Sequence, residues 1–234
     1  MVMDKHICPW GLKTLHLLKA DGFAVEDHWL TTREETDAFK AKHGVKTTPQ
    51  TFIGGERIGG YDDLRRFLGK PVKDPNAVTY KPVIAIFGMG LTMALAVSWL
   101  VSGALITAIA AELFISISMC LLAIQKLRDV DGFATMFLGY DLLAQRWAPY
   151  AYLYPFGEAL AGVLMTAHAL DIVSVPIALF IGGVGAVSVF YAVYVQKREL
   201  KCACVGGSSN VPLGFVSLTE NVMMVAMGIW MMVR

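Results

Sequence analysis

From Val83 onward the chain reads as five long apolar runs broken by short polar intervals: Val83–Ser102, Ala104–Ile124, Ala148–Leu170, Ile172–Tyr194 and Val211–Val233. Each approaches the roughly 20 apolar residues that carry a helix across a bilayer. The first two are parted only at Gly103, which predicts a tight helical hairpin. Between the second and third runs, Phe133, Met136, Phe137, Tyr140 and Leu143 recur at helical spacing. That pattern predicts an amphipathic helix at the membrane interface. The first 69 residues alternate differently, with short apolar periods among charges. Leu12, Leu15, Leu17 and Leu18 predict a helix that stops near Gly22. Val45 to Ile53 reads as an approach loop and strand, Gly54-Gly55 as a hairpin turn, and Glu56 to Ile58 as the return strand. Asp62 to Leu68 predicts a last short helix. Three prolines fall between Gly69 and Pro82, so that stretch reads as a linker able to span about 40 Å. The expected organisation is a small α/β head at 1–69, a linker at 70–82 and an all-α membrane bundle at 83–234.

Composition supports this division. Hydrophobic residues make up 56% of the chain and charged residues 17%, outside the range of an ordinary soluble domain. The net charge of +1 gives no reason to expect a nucleic-acid partner. No apolar leader precedes the charged head, which therefore belongs in the cytoplasm. Lys and Arg give the same answer independently. Lys81, Lys126, Arg128, Arg146, Lys197, Arg198 and Lys201 flank one set of helix ends, and the turns at Gly103 and His168–Asp171 carry none. The positive-inside rule puts the head, the long loop and the loop before the last run on the cytoplasmic side, with the C-terminus outside. A multi-pass protein of a bacterial inner membrane is expected.

The candidate chemistry is sulfur. Cys8, in HICPWG, falls at a strand-to-helix junction, where backbone N–H groups and the helix dipole stabilise a thiolate. Lys5 adds positive charge nearby. Cys202 and Cys204, in KCACVGG, are two apart, close enough for a strained, readily reduced disulfide or a soft clamp for Cu or Hg. Cys120 sits about one turn before Gln125 and Lys126, so all four sulfurs are expected on one membrane face and within reach of one another. Ionisable groups inside spans are functional candidates by default. Glu112, Glu158 and Glu220 qualify, and Glu158 with Glu220 and Asn221 is expected to face a common interior. Asp141 is expected at the membrane surface, paired with Lys126 or Arg128. Met223, Met224, Met227, Met231 and Met232 read as adaptable packing, and Gly182, Gly183 and Gly185 as close helix contacts.

In the head, Lys5, Cys8-Pro9-Trp10, Thr47-Thr48-Pro49, Phe52-Ile53-Gly54-Gly55 and Gly59-Gly60-Tyr61-Asp62-Asp63 together resemble a glutaredoxin. The resemblance implies a thioredoxin-like fold and glutathione as cofactor. It places Pro49, in the cis form, beside Cys8, Pro9 and Trp10. It assigns Thr48 to the glutathione backbone, Lys5 to its glycyl carboxylate, and Asp62 and Asp63 to its γ-glutamyl end, with Pro9, Trp10, Gly60 and Tyr61 also counted as glutathione-binding. Two features depart from that pattern. Only Met1, Val2 and Met3 stand for a strand that is central in the family's sheet, and Gly11 replaces the second active-site cysteine. Cys8 must therefore act alone through a mixed disulfide.

The membrane part resembles the methylamine-utilisation MauE family within the DoxX-like group. The residues that carry this are Gln125 to Asp129, Phe133, Tyr140 to Leu143, Pro155, Glu158 and Cys202-Ala203-Cys204. The family implies a four-helix core, one added helix here, and a role in disulfide handling. The expected function is glutathione-linked thiol–disulfide exchange between Cys8 and the Cys202–Cys204 pair, with Cys120 as a third sulfur. A protein disulfide or thiol is a further partner. The alternatives are a handler of a thiophilic metal held by Cys202 and Cys204, and an iron–sulfur module shared between Cys8 and glutathione.

Overall fold

The computed structural model describes residues 2–3, 6–74, 77–203 and 210–233. It divides into two compact units, Met1–Pro75 and Asn76–Arg234. Lys5 and Cys204 lie outside the described residues.

The first unit is built from short elements. β1 (Val2–Met3) pairs antiparallel with β2 (His6–Ile7), and Cys8 then caps α1 (Pro9–Ala20) with Pro9 at its first position. Proline is preorganised there, because its missing N–H has no intrahelical partner anyway. α2 (Arg33–His43) opens on a reciprocal cap, with Thr32 accepting from the Glu35 N–H and Glu35 reaching back to the N–H groups of Thr31 and Thr32. Those bonds hold the Glu35 carboxyl below its usual range. The helix closes on Gly44 at φ 62°. β3 (Thr51–Ile53) and β4 (Glu56–Gly59) form the expected hairpin about Gly54 and Gly55, at φ 60° and 83°. α3 (Tyr61–Phe67) follows.

Among the described residues the two strand pairs do not join into one sheet. Strands of two residues each cannot supply the central strand that would bridge them. A cavity of about 580 Å³ lies between α1 and β3, lined by Leu15, Leu18, Phe23, Phe39 and Phe52. The single sheet with a central first strand that the resemblance implies is thus reduced to two strand pairs. The Cys8 junction, α1, the β3–β4 hairpin and α3 stay in their expected order, and α2 is an addition that the sequence reading did not include.

The second unit is helical: α4 (Lys81–Ser102), α5 (Ala108–Leu127), α6 (Val130–Leu138), α7 (Pro149–Thr166), α8 (Asp171–Phe190) and α9 (Phe215–Val233), with a π-helical turn Tyr191–Val195 extending α8. α5 packs on α4 and α7, and α8 packs on α7 and α9. The α4–α5 hairpin turns at Gly103, φ 70°. Ser98 pins it, donating to the Ala104 carbonyl at 2.9 Å and meeting the Thr107 hydroxyl at 2.7 Å.

Among the described residues four helices are long and apolar enough to cross a membrane, namely α4, α5, α8 with its π turn, and α9. Ile84, Leu100, Ile106, Ile172 and Val233 are more than two-thirds exposed, which lipid accommodates and water does not. α7 falls short of that hydropathy because it carries Tyr150, Tyr152, Tyr154, Pro155 and Glu158. The α6 helix forms as expected, but Phe133 and Phe137 turn inward and lie against Tyr154 at 5.8 and 4.8 Å between ring centroids. Its apolar face is therefore spent on the protein core. Met224, Met227 and Met231 pack in that core. A Cβ on Gly182 or Gly185 would press on α9, whereas Gly183 meets nothing within 4 Å and makes no close contact.

Candidate thiol and ionic sites

In the first unit the site grows from the start of α1. Cys8 is a free thiol, 8% exposed, at the cap of a helix that begins Pro9-Trp10. The Trp10 ring meets Tyr61 at 5.7 Å, which ties the start of α1 to the start of α3. Thr48 and Pro49 share a cis peptide and line the same cavity as Gly11 and Thr14, one turn past Cys8. Gly60 lies 3.8 Å from the Pro49 carbonyl, measured from where its Cβ would be. Pro9, Trp10, Thr48, Pro49, Gly60 and Tyr61 thus surround one region.

Asp63 is occupied locally. Its Oδ2 accepts from the Gly60 N–H at 3.0 Å and its Oδ1 from Arg66 at 2.6 Å. A Cβ on Gly59, at φ 124°, would stand 2.5 Å from Asp63 Oδ2, so only glycine fits there. The exposed neighbour Asp62 sits in the first turn of α3.

In the second unit, Cys202 is fully buried against Val83, Leu122 and Val211. It is disulfide-bonded. Its N–H donates to the Val211 carbonyl at 2.8 Å, and Leu213 N–H to Leu200 at 2.7 Å. These bonds clamp the two ends of the loop. The Ser217 hydroxyl donates to Cys202 Sγ at 3.0 Å.

Cys120 does not share that surroundings. It lies beside Gly162 and Thr166 of α7. Leu122, two residues on, is the α5 side chain that packs with Cys202. Two helical steps turn the chain by about 200°, so Cys120 faces away from Cys202. The expectation of one cluster of sulfurs is corrected to that extent. Among the described residues no three His, Cys, Asp or Glu side chains gather as a metal would require.

The buried ionic cluster matches the sequence pattern only partly. Glu158, Glu220 and Asn221 do face one interior, as expected. The cation there is Lys126, whose ammonium donates to Glu158 at 2.5 Å and Glu220 at 2.6 Å. Its Nζ also stands 5.3 Å from the centre of the Tyr154 ring.

The expected pairing of Asp141 with Lys126 or Arg128 is not formed. Asp141 is fully buried rather than at the surface, and accepts from the N–H groups of Leu143 and Ala144. It caps the turn after α6, two to three residues ahead of its donors, and Lys126 has better partners. Burial pushes the Asp141 carboxyl up from its usual range, against the pull of Ala144, Ser188 and Leu143. Arg128 bonds Gln125 instead. Glu112 accepts from Trp230 Nε1 at 2.7 Å, with His168 at 3.6 Å, so its role is a contact between helix ends.

Sequence reasoning missed Ser217 and the aromatic wall of Tyr140 and Tyr154. The signal for Ser217 was available. Ser217, Glu220 and Asn221 are three and four apart, hence on one helix face.

Comparison with known proteins agrees with this division. The glutaredoxin family matches residues 1–58. A probable glutaredoxin of Synechocystis is 33% identical over 70 residues, 29% of this chain and 80% of that protein. A hybrid peroxiredoxin of Haemophilus influenzae is 36% identical over 67 residues, 29% of this chain. The chain spans only 28% of the length of that relative. No solved structure matches the chain. Residues 84–234 match the family described as methylamine utilisation protein MauE. A thiol-redox head and a bundle of apolar helices therefore occur in one polypeptide, and the chain belongs to the MauE family, with a glutaredoxin domain fused ahead of its membrane helices.

Proposed function

We propose that this multi-pass membrane protein is a glutathione-linked thiol–disulfide oxidoreductase whose head acts on the Cys202–Cys204 pair. The observation that carries the proposal is the pairing of redox states. Cys8 is a free thiol at a helix N-terminus and Cys202 is already in a disulfide. One chain thus offers both nucleophile and electrophile.

The exchange balances in three steps. The Cys8 thiolate attacks the Cys204 sulfur, and the bonding pair of the broken S–S bond leaves on Cys202. A glutathione thiolate then attacks Cys8 in the mixed disulfide and releases Cys204 as thiolate. A second glutathione thiolate attacks the first at its sulfur, freeing Cys8 and giving oxidised glutathione. The net change is one disulfide and two glutathiones to two thiols and glutathione disulfide. Gly11 removes the option of resolution within the head, so an external thiol is required. Lys5, Thr48, Pro49, Gly60, Tyr61 and Asp62 would hold glutathione; Asp63, held by Gly60 and Arg66, would position that loop.

α7 serves as the fifth span in this reading. Its 18 residues reach about 27 Å, close to the hydrocarbon thickness. Leu153, Phe156, Leu160 and Val163 face outward, while Tyr150, Tyr154 and Glu158 face in. With five spans and basic residues inside, the head and the Cys202 loop share the cytoplasmic side of the inner membrane and the C-terminus is outside. The test is two-part. On intact cells first reduced with a membrane-permeant reductant, a membrane-impermeant maleimide is expected to spare Cys8, Cys202 and Cys204. A Cys202→Ser or Cys204→Ser variant, given glutathione disulfide as the oxidant, is expected to trap a disulfide between Cys8 and the remaining cysteine of the pair, with two glutathione thiols released. Labelling of the pair from outside, or no trapped species in either single-cysteine background, defeats the proposal.

A further inference from the structure

The ionic cluster has no part in the exchange as written above. Lys126 is 2% exposed, Glu158 fully buried and Glu220 4% exposed. Two carboxyls share one ammonium in an apolar interior. With both ionised, the cluster would hold an uncompensated negative charge where charge is heavily penalised. One proton shared between the carboxyls makes it neutral. Glu158 Oε1 and Glu220 Oε2 are buried with no hydrogen-bond partner among the described residues, so each offers a place for that proton or for water.

A path leads from this cluster to sulfur. Lys126, Ser217, Glu220 and Asn221 line one cavity of about 10 Å³, room for about a single water molecule. Asn221 Nδ2 donates to the Ser217 carbonyl at 2.7 Å, holding that helical turn. The Ser217 hydroxyl, on the same helix face, donates to Cys202 Sγ at 3.0 Å. The order is carboxyl pair, a cavity that fits one water, Ser217 hydroxyl, Cys202 sulfur.

The geometry points to a proton relay in which the Lys126–Glu158–Glu220 cluster protonates Cys202, through Ser217, as its disulfide is reduced. The inference rests on the exchange chemistry proposed above. A thiolate attacks the partner sulfur, the S–S bond breaks, and its electron pair leaves on Cys202. Ser217 gives its proton to that sulfur and takes one from the water, which takes one from the carboxyl pair. The products are a mixed disulfide, a Cys202 thiol and a second carboxylate facing the Lys126 ammonium. The charge is −1 before and after. Reoxidation runs the same path backward.

The titratable groups that face the cluster are Lys126 and Cys120 from α5, Tyr154 from α7, and Tyr140 and Asp141 from the turn after α6. From α8 come only Gly185 and Val189.

The test uses the full chain in lipid nanodiscs and dithiothreitol as the reductant. Reduction of Cys202 is read by maleimide mass shift, and its rate is expressed per dithiothreitol thiolate from pH 6 to 9. For the native chain that corrected rate is expected to fall as pH rises and the cluster loses its proton. Ser217→Ala, nearly isosteric, is expected to lower the rate at pH 6 about tenfold and to flatten the profile, as loss of a general acid should. Glu220→Gln is expected to flatten it as well. A loss of equal factor at every pH, or an unchanged profile in Ser217→Ala, overturns the relay. Dithiothreitol needs neither Cys8 nor glutathione, so the two ideas separate. If glutathione reduces Cys202 equally well in Cys8→Ser, the head-to-pair exchange is wrong and the relay stands. If dithiothreitol never reduces Cys202, both are wrong.

Discussion

Replacing Lys126 by methionine removes the one cation from a pocket that holds two carboxyls. The ammonium stands 2.5 Å from Glu158 Oε2 and 2.6 Å from Glu220 Oε1, and all three side chains are at most 4% exposed. At an effective dielectric near 20 a contact with an ionised carboxylate is worth about 6 kcal/mol of gross attraction, most of it offset by the desolvation of the buried ions. The net effect of deleting one partner is governed by the charges left behind, and about 3–5 kcal/mol of stability should be lost. Methionine fills nearly the same volume, so little of that loss is a cavity effect. Denaturation of the purified chain in mixed micelles, followed by helical circular dichroism, measures it. The triple variant Lys126→Met, Glu158→Gln, Glu220→Gln should recover most of the loss, because no buried charge remains to be compensated. Raising salt from about 50 to 500 mM should change neither value much, since the pairs are out of reach of counterions. A single variant that loses less than about 1 kcal/mol, or a triple variant no better than the single, would refute the view that Lys126 is retained by charge rather than by packing.

Other expectations concern single positions. Cys8→Ser should abolish exchange with glutathione, read as loss of glutathione-disulfide formation, and leave folding unchanged by circular dichroism. Gly185→Ala places a Cβ 2.1 Å from Asn221 Oδ1, so it should cost about 1–3 kcal/mol in the same micelle assay, whereas Gly183→Ala, in open space, should be silent. Thr32→Ala should cost the α2 helix about 1 kcal/mol, seen as faster amide exchange across residues 33–43. The Glu35 carboxyl has a folded pKa below its unfolded value of about 4.5, so its capping contribution is complete above that pH and is lost as pH falls through the folded value. Amide exchange of α2 should therefore lose protection in acid, and Glu35→Gln should remove that dependence.

Much of the membrane unit was readable because its signal is long-range and redundant. Twenty apolar residues in a row admit few structures, and the spacing of Glu158, Glu220 and Asn221 within their helices already marked one interior. The partner of those carboxyls was harder to find. Lys126 and Asp141 are close in sequence and opposite in charge, which made a local pair the natural reading. The structure satisfies Asp141 with backbone N–H groups two and three residues ahead and sends Lys126 to helices 32 and 94 residues away. Sequence proximity carries no information about which helix a side chain will face. Cys120 shows the same limit. Its place along α5 was legible, but its azimuth was set by Gly162, whose missing side chain admits the sulfur. In the head, the cap, the hairpin and the last helix followed from local turn chemistry. The sheet did not, because joining strands is a long-range event and the central strand here is only two residues long.

The burial of Cys202 bears on the direction of the proposed exchange. Cys202 is wholly enclosed, and its N–H is fixed to Val211. An incoming thiolate must approach along the axis of the S–S bond, and the enclosed sulfur has no open side for that approach. It can nevertheless leave, since the electron pair it takes is met at once by the Ser217 hydroxyl at 3.0 Å. A stabilised leaving group speeds exchange as surely as a better nucleophile does. In the proposed exchange Cys202 is therefore the departing sulfur and its partner the one attacked. That role also gives a reason for an ionic cluster within reach of Cys202. A proton is needed only where the thiolate is left behind, and a thiolate stranded among Val83, Leu122 and Val211 would otherwise be costly to form.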